Sequence, residues 1–154
     1  MENIMSLEYM QDLLSTALCE AGAAPASFSE VGMAEIRLHG LNLALEYIAR
    51  EQRLHVWCSL GTLPVDPPAA LCEFLLECDL LGGRTAGGHI GLYAPTRTLI
   101  YSLSLEVAAL DGSRLANALA RFTEKAAQLM AETEEQGSSA ASSPLPFMGD
   151  VIWA

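Results

Sequence analysis

The sequence predicts an α+β fold in the order α-β-β-β-α-β-β-α, with helices packed on a twisted, largely antiparallel sheet. Three observations predict it. Apolar residues recur at helical spacing from Leu7 to Ala21 and again from Leu115 to Leu129. Between them, from Ala34 to Cys58, the period changes to strict alternation of apolar and polar residues. Helical repeat and alternation are the signatures of an amphipathic helix and a half-buried strand. Finally, Gly, Pro and Asp residues fall where the period changes, as turn and cap chemistry requires.

Ser6 is placed to cap the first helix, whose apolar stripe is Leu7, Met10, Leu14, Ala17, Leu18 and Ala21. Glu8, Gln11, Asp12 and Glu20 lie off that stripe, Gly22 fits the C-terminal cap and Pro25 prevents continuation. Ala34, Ile36 and Leu38 then alternate with Glu35, Arg37 and His39 in a first strand. Gly40, with His39 as the other central residue, makes a two-residue turn. Leu41, Leu43, Leu45 and Tyr47 share one face of a second strand, and the polar stretch Arg50–Arg53 is the next turn. Leu54, Val56 and Cys58 alternate with His55, Trp57 and Ser59 in a third, completing an antiparallel meander.

Gly61–Pro64 breaks the sheet. Asp66 is expected as the N-cap and Pro67 as the first residue of a second helix through Leu71, Phe74, Leu75 and Cys78, ending near Gly82–Gly83. Ile90 and Leu92 make a short strand, Pro95–Thr96 a turn, and Leu99, Tyr101, Leu103 and Leu105 a further strand. Asp111 caps a last helix carrying Leu115, Leu119, Phe122, Ala126 and Leu129 or Met130. Residues 1–136 form one domain. Residues 137–154 begin with a Ser/Ala/Pro-rich stretch that reads as a flexible linker. They close with an apolar run, Phe147-Met148 and Val151-Ile152-Trp153, expected to dock in an apolar groove of its own dimer or of a neighbouring one, in place of a bound partner.

Lys plus Arg number 8 against 19 Asp plus Glu, a net charge of -11, so the surface repels phosphate backbones and nucleic-acid binding is not expected. The N-terminus lacks a basic region before an apolar run, and no apolar stretch approaches membrane-spanning length. A cytoplasmic location without membrane insertion is expected. Cys19, Cys58, Cys72 and Cys78 form no CxxC pair and sit in apolar surroundings, reading as free thiols in a reducing compartment.

Catalytic chemistry is not expected. The sequence has no HExxH, Walker-type GK[ST] or GxSxG motif. The glycine-rich run Gly82–Gly88 follows a helix and precedes a strand, the reverse of a phosphate cradle. His39, His55 and His89 fall in a turn, a strand and a strand start, and alternation puts Cys58 and His55 on opposite faces. No cofactor and no metal site is expected. Trp57 is the informative residue: it lies opposite the Leu54/Val56 face, so it either packs under a covering element or forms an apolar docking surface on the open sheet.

Local motifs carry a resemblance. Leu60-Gly61-Thr62-Leu63-Pro64 follows the third strand. Leu75-Leu76-Glu77-Cys78-Asp79-Leu80-Leu81-Gly82 runs into Gly87-Gly88-His89-Ile90-Gly91-Leu92, and Leu103-Ser104-Leu105 and Leu110-Asp111 lead into the Leu119–Phe122 helix. In order and spacing, from about Leu7 to Ala131, the chain resembles the class I type III secretion chaperones, the Tir chaperone family. It departs at Asp79, where the family often has Asn, at Ala127-Gln128-Leu129, where a Trp is common, and in the added tail.

The resemblance implies a homodimer that binds the N-terminal segment of a secreted effector in extended form and keeps it soluble and competent for secretion without ATP. It implies a dimer contact through the second helix and the fourth strand, here Leu71, Phe74, Leu75, Leu76, Ile90 and Leu92. The effector segment is expected along the first helix and the outer strand Met33–Leu38, with Met10, Leu14, Ile36, Leu45 and Trp57 as contacts. The competing reading is a regulatory protein on the same fold that sequesters a transcription factor or another chaperone.

Overall fold

Ser6 caps α1 (Leu7–Glu20) in a computed structural model that describes residues 5–141: its Oγ accepts the Tyr9 amide at 3.2 Å. The helix stops at Ala21, and Gly22 follows with φ +66°. Then come β1 (Met33–Leu38), β2 (Leu41–Ile48), β3 (Arg53–Thr62), α2 (Ala69–Asp79), β4 (His89–Tyr93), β5 (Thr98–Glu106) and α3 (Gly112–Ala141). Among the described residues five strands form one antiparallel sheet in the order β1-β2-β3-β5-β4, whose β1-β2-β3 part is the meander the alternation predicts. His39 and Gly40 both adopt positive φ, 49° and 80°, in the tight β1–β2 turn. That pairing of left-handed residues gives a hairpin twist matching the strands.

The second helix starts later than expected. Asp66 and Pro67 lie outside it, and Pro68 takes the cap position with φ −57° and ψ 140°. The cause is the Pro67-Pro68 pair, because a residue preceding proline is pushed out of the helical region. The carbonyl of Pro68 instead accepts the Leu71 and Cys72 amides, at 3.1 and 3.2 Å. The helix ends at Asp79, and a 3-10 turn over Leu80–Gly82 follows. Asp79 ties that end to β4: its Oδ1 accepts the Ile90 amide at 2.8 Å and lies 3.5 Å from His89 Nδ1. Asp111 Oδ1 accepts the Arg114 amide at 2.8 Å, capping α3. The last helix continues through Gly137 to Ala141, where a linker was expected to have begun, and residues 142–154 lie outside the described residues.

All three helices cover one face of the sheet. Ile36, Leu43, Leu45, Leu54, Val56, Leu99 and Tyr101 share one core with Met10, Leu14, Leu71, Phe74, Leu119 and Phe122. The last helix packs against α1, α2 and β3, and Phe122 stacks on Tyr101 with ring centroids 4.5 Å apart. On the other face β2 presents Asn42, Ala44 and Glu46, and β3 presents His55, Trp57 and Ser59; all are half-buried or exposed. Gly88 positions β4. A Cβ there would stand 2.5 Å from the Ser102 carbonyl oxygen and 2.7 Å from the Tyr101 ring, so only glycine lets the loop seat on β5.

Candidate protein-binding surfaces

Two surfaces stand out, one on the β4 edge and one on the open face of the sheet. Among the described residues no strand lies beyond the β4 edge. Beside it, α2 and the turn that follows expose Leu76 (76%) and Leu81 (97%), together with Leu80, while β4 exposes Leu92 and Tyr93. A cluster of large apolar side chains on a sheet edge marks an interaction site. Leu81 sharpens this. It sits at φ 54°, a left-handed conformation that costs a leucine on the order of 1–2 kcal/mol, and its side chain packs on almost nothing in its own protomer.

The open face carries the second surface. The β2–β3 ladder ends at the Ala44–Trp57 pair, beyond which the two strands part. The divergence opens a cleft of about 560 Å³ between Asn42, Leu43 and Ala44 on one wall and Trp57, Cys58 and Ser59 on the other. Ile100 borders it, and Glu35 and Arg37 of β1 form the rim. Trp57 is half-buried, at the inner end of this cleft. Among the described residues no helix covers it.

The expected contact residues divide sharply. Met10, Leu14 and Leu45 have no exposed surface and Ile36 only 4%, so all four belong to the protomer core. The reason is the face they share. The stripe of α1 and the inner residues of β1 and β2 point at each other, and the surface expected along them is consumed within the fold. Of that set, Trp57 alone presents itself outward. Met10→Ala is accordingly expected to cost about 2–5 kcal/mol of stability, as buried large-to-small changes do. Denaturant unfolding with an unchanged m-value checks this.

On the other surface, Leu71 and Phe74 are buried against the protomer's own core, where Arg84 lies 5.0 Å over the Phe74 ring. Leu75 and Ile90 are half-buried, and Leu76 and Leu92 are exposed. The sequence reading missed Leu80, Leu81 and Tyr93. The adjacent Leu80-Leu81 pair looked like helix interior because the helix end was placed at the glycines.

Cys58 lies on the helix side of β3, and burial pushes its thiol up to about 11, so it stays protonated and unreactive near neutrality. His55 points to the other face. Cys19 is exposed, so iodoacetamide at pH 8 is expected to modify Cys19 rapidly and Cys58 only on unfolding, which peptide mass spectrometry reads directly. Because the folded state keeps a proton that the unfolded chain releases above 9.0, Cys58 makes stability fall as pH rises from about 9 to 11. Among the described residues no three His, Cys, Asp or Glu side chains are grouped to hold a metal ion, and no helix is long and apolar enough to cross a membrane.

A helix-backed antiparallel sheet with an apolar edge and an open aromatic cleft defines an α+β domain with two apolar surfaces. The profile of the Tir chaperone protein (CesT) family matches residues 13–130, and the chain belongs to that family of chaperones. Among curated proteins no sequence matches significantly. Solved structures agree on the fold. A chain of the ExsC–ExsE complex superposes with a TM-score of 0.68 at 17% identity, over 81% of this chain and 93% of that one. A chain of the HopA1–SchA chaperone–effector complex gives 0.61 at 20% identity, over 82% and 93%. A chain from the Yersinia pestis type III secretion chaperone SycH, solved with a stable fragment of YscM2, gives 0.61 at 18%, over 77% and 98%.

Proposed function

We propose that this protein is a homodimeric type III secretion chaperone that binds the N-terminal segment of a secreted effector and keeps it soluble and secretion-competent. Family membership over residues 13–130 carries the reading. The exposed cluster of Leu76, Leu80, Leu81, Leu92 and Tyr93 supports it by offering a self-complementary patch, since a two-fold contact uses the same surface on both copies. The strand edges and the Trp57 cleft support it by offering main-chain groups and an apolar anchor to an extended segment. Structural neighbours solved as complexes, one a chaperone with its effector, fit the same reading.

The acidic surface, at net charge -11, favours a basic or polar polypeptide over nucleic acid. The reading needs no cofactor, metal or ATP, and it places the protein in the bacterial cytoplasm, where effectors await export. The test is affinity capture from the native host, followed by reconstitution with the captured protein's N-terminal segment alone. The reading predicts a secreted protein whose N-terminal segment suffices for binding. Capture of a transcription factor or another chaperone, with no secreted protein, would replace it with the regulatory alternative.

A further inference from the structure

The cleft beside Trp57 carries a charge pattern as well as an aromatic wall. The register sets Glu35, Ala44 and Trp57 side by side across β1, β2 and β3, on the face that no described helix covers. Neighbouring strands lie about 4.8 Å apart, so the Glu35 and Trp57 positions are separated by about 10 Å. Only the methyl group of Ala44 stands between them, which leaves room for one long side chain. Two residues along β1, Arg37 pairs with Asn42 of β2, and both line the same cleft of about 560 Å³.

The fold itself does not use these charges. Glu35 and Arg37 are exposed and make no ion pair among the described residues. Glu46, two residues along β2 from Ala44 and on the same face, is likewise without an ion pair among them. Arg53 also projects to this face, but it lies four residues from Trp57 and donates to Ser104 Oγ at 3.1 Å. His55 stands between Glu46 and Ser104, in the next row of the sheet. The Ala44 position is therefore flanked by carboxylates on two sides and by the Trp57 ring on a third. The Asn42 position adjoins the Arg37 guanidinium.

Each position selects a charge. A cation standing over Ala44 meets the Glu35 and Glu46 carboxylates and the Trp57 ring, whose face attracts cations. The aliphatic stem of a Lys or Arg packs on the same ring while its charged head stays in water. A carboxylate over Asn42 meets Arg37 instead. Alternate side chains of an extended segment have the same spacing as Glu35 and Arg37, because both follow the two-residue period of a strand. One segment can therefore place a side chain at each position.

We infer that the open-face cleft recognises an extended segment carrying a Lys or Arg and, two positions away, an Asp or Glu. The basic side chain lies between Glu35 and Trp57, and the acidic one lies beside Arg37. This rests on the proposed binding of an extended effector segment and adds the chemistry by which that segment is chosen. A net charge of -11 favours basic partners over the whole surface. The inference is narrower, since it ties one basic residue to one row of the sheet and sets the spacing of its acidic companion.

Three synthetic peptides decide it: acetyl-Thr-Val-Lys-Thr-Glu-Val-Thr-amide, the same peptide with Leu at both charged positions, and the same peptide with Glu in place of Lys. Binding to the full chain is read by NMR from the Trp57 indole N–H resonance, assigned with Trp57→Phe. The Lys/Glu peptide is expected to bind about tenfold more tightly than either of the others. Glu35→Lys should abolish that preference. Glu106→Lys, an equal change of net charge on the same face but beside Arg53, should leave it in place. Equal affinities for the three peptides, or a preference lost equally in both variants, overturn the inference and leave Trp57 as a segment-binding residue. A Trp57 resonance that no peptide shifts overturns it and also removes the cleft from the binding site. The chaperone reading itself is decided separately, by the affinity capture.

Discussion

Leu81→Asp is expected to convert the protein from a dimer to a monomer at micromolar concentration without unfolding it. Leu81 is 97% exposed in the protomer, so an aspartate there disturbs no packing. Aspartate also tolerates the φ of 54° better than leucine, so the protomer gains rather than loses backbone stability. In a two-fold interface the change occurs twice. Losing two buried leucines at roughly 1.5–3 kcal/mol each weakens association by about two to four orders of magnitude, and an unpaired buried charge adds to the loss. Leu76→Asp, at 76% exposure, should act in the same way. Ile90→Asp is a poorer probe, because Ile90 also packs on the protomer core. Light scattering combined with circular dichroism separates the outcomes. A Leu81→Asp protein that keeps a dimer mass removes the β4 edge from the interface.

The second large effect concerns Trp57. Trp57→Ala is expected to weaken effector-segment binding by about 1–3 kcal/mol, roughly 5- to 150-fold, with the fold retained. The reasoning is positional. Trp57 stands at the inner end of the cleft, half-buried on the uncovered face, opposite Ala44 on β2 and Ser102 on β5. Its small cross-strand neighbours leave the ring available to an anchoring side chain of the segment. Isothermal titration against the N-terminal segment measures the change, and unchanged affinity with intact circular dichroism removes Trp57 from the site.

The sequence made the element order legible because each element satisfies several local rules at once. Ser6, Gly22 and Pro25 bracket α1, and the His39–Gly40 turn fixes the register of β1 on β2. Alternation assigned the inner and outer faces of β3 correctly, including the separation of Cys58 from His55. The start of α2 was misplaced because Asp66-Pro67 satisfies the cap rules in isolation, whereas Pro68 vetoes them through its effect on the preceding residue.

The binding surfaces were less legible, for a physical reason. Hydrophobicity and period reveal that a residue belongs to an apolar stripe, but not whether the stripe is covered by the same chain. Met10, Leu14, Ile36 and Leu45 look like a docking surface in sequence, and α1 and the sheet use them on each other. Conversely Leu80 and Leu81 look like helix interior, and only the 3-10 turn after Asp79 turns them outward. The cleft had no sequence signal, since it arises where two strands stop pairing.

The central proposal is that this chain dimerises and that the dimer binds the N-terminal segment of an effector. Light scattering on the purified complex with the N-terminal segment of its effector tests this most directly. The account predicts the mass of two 16.5 kDa chains plus bound segment. A complex of one chain with one segment, or a dimer that binds no segment, would contradict it.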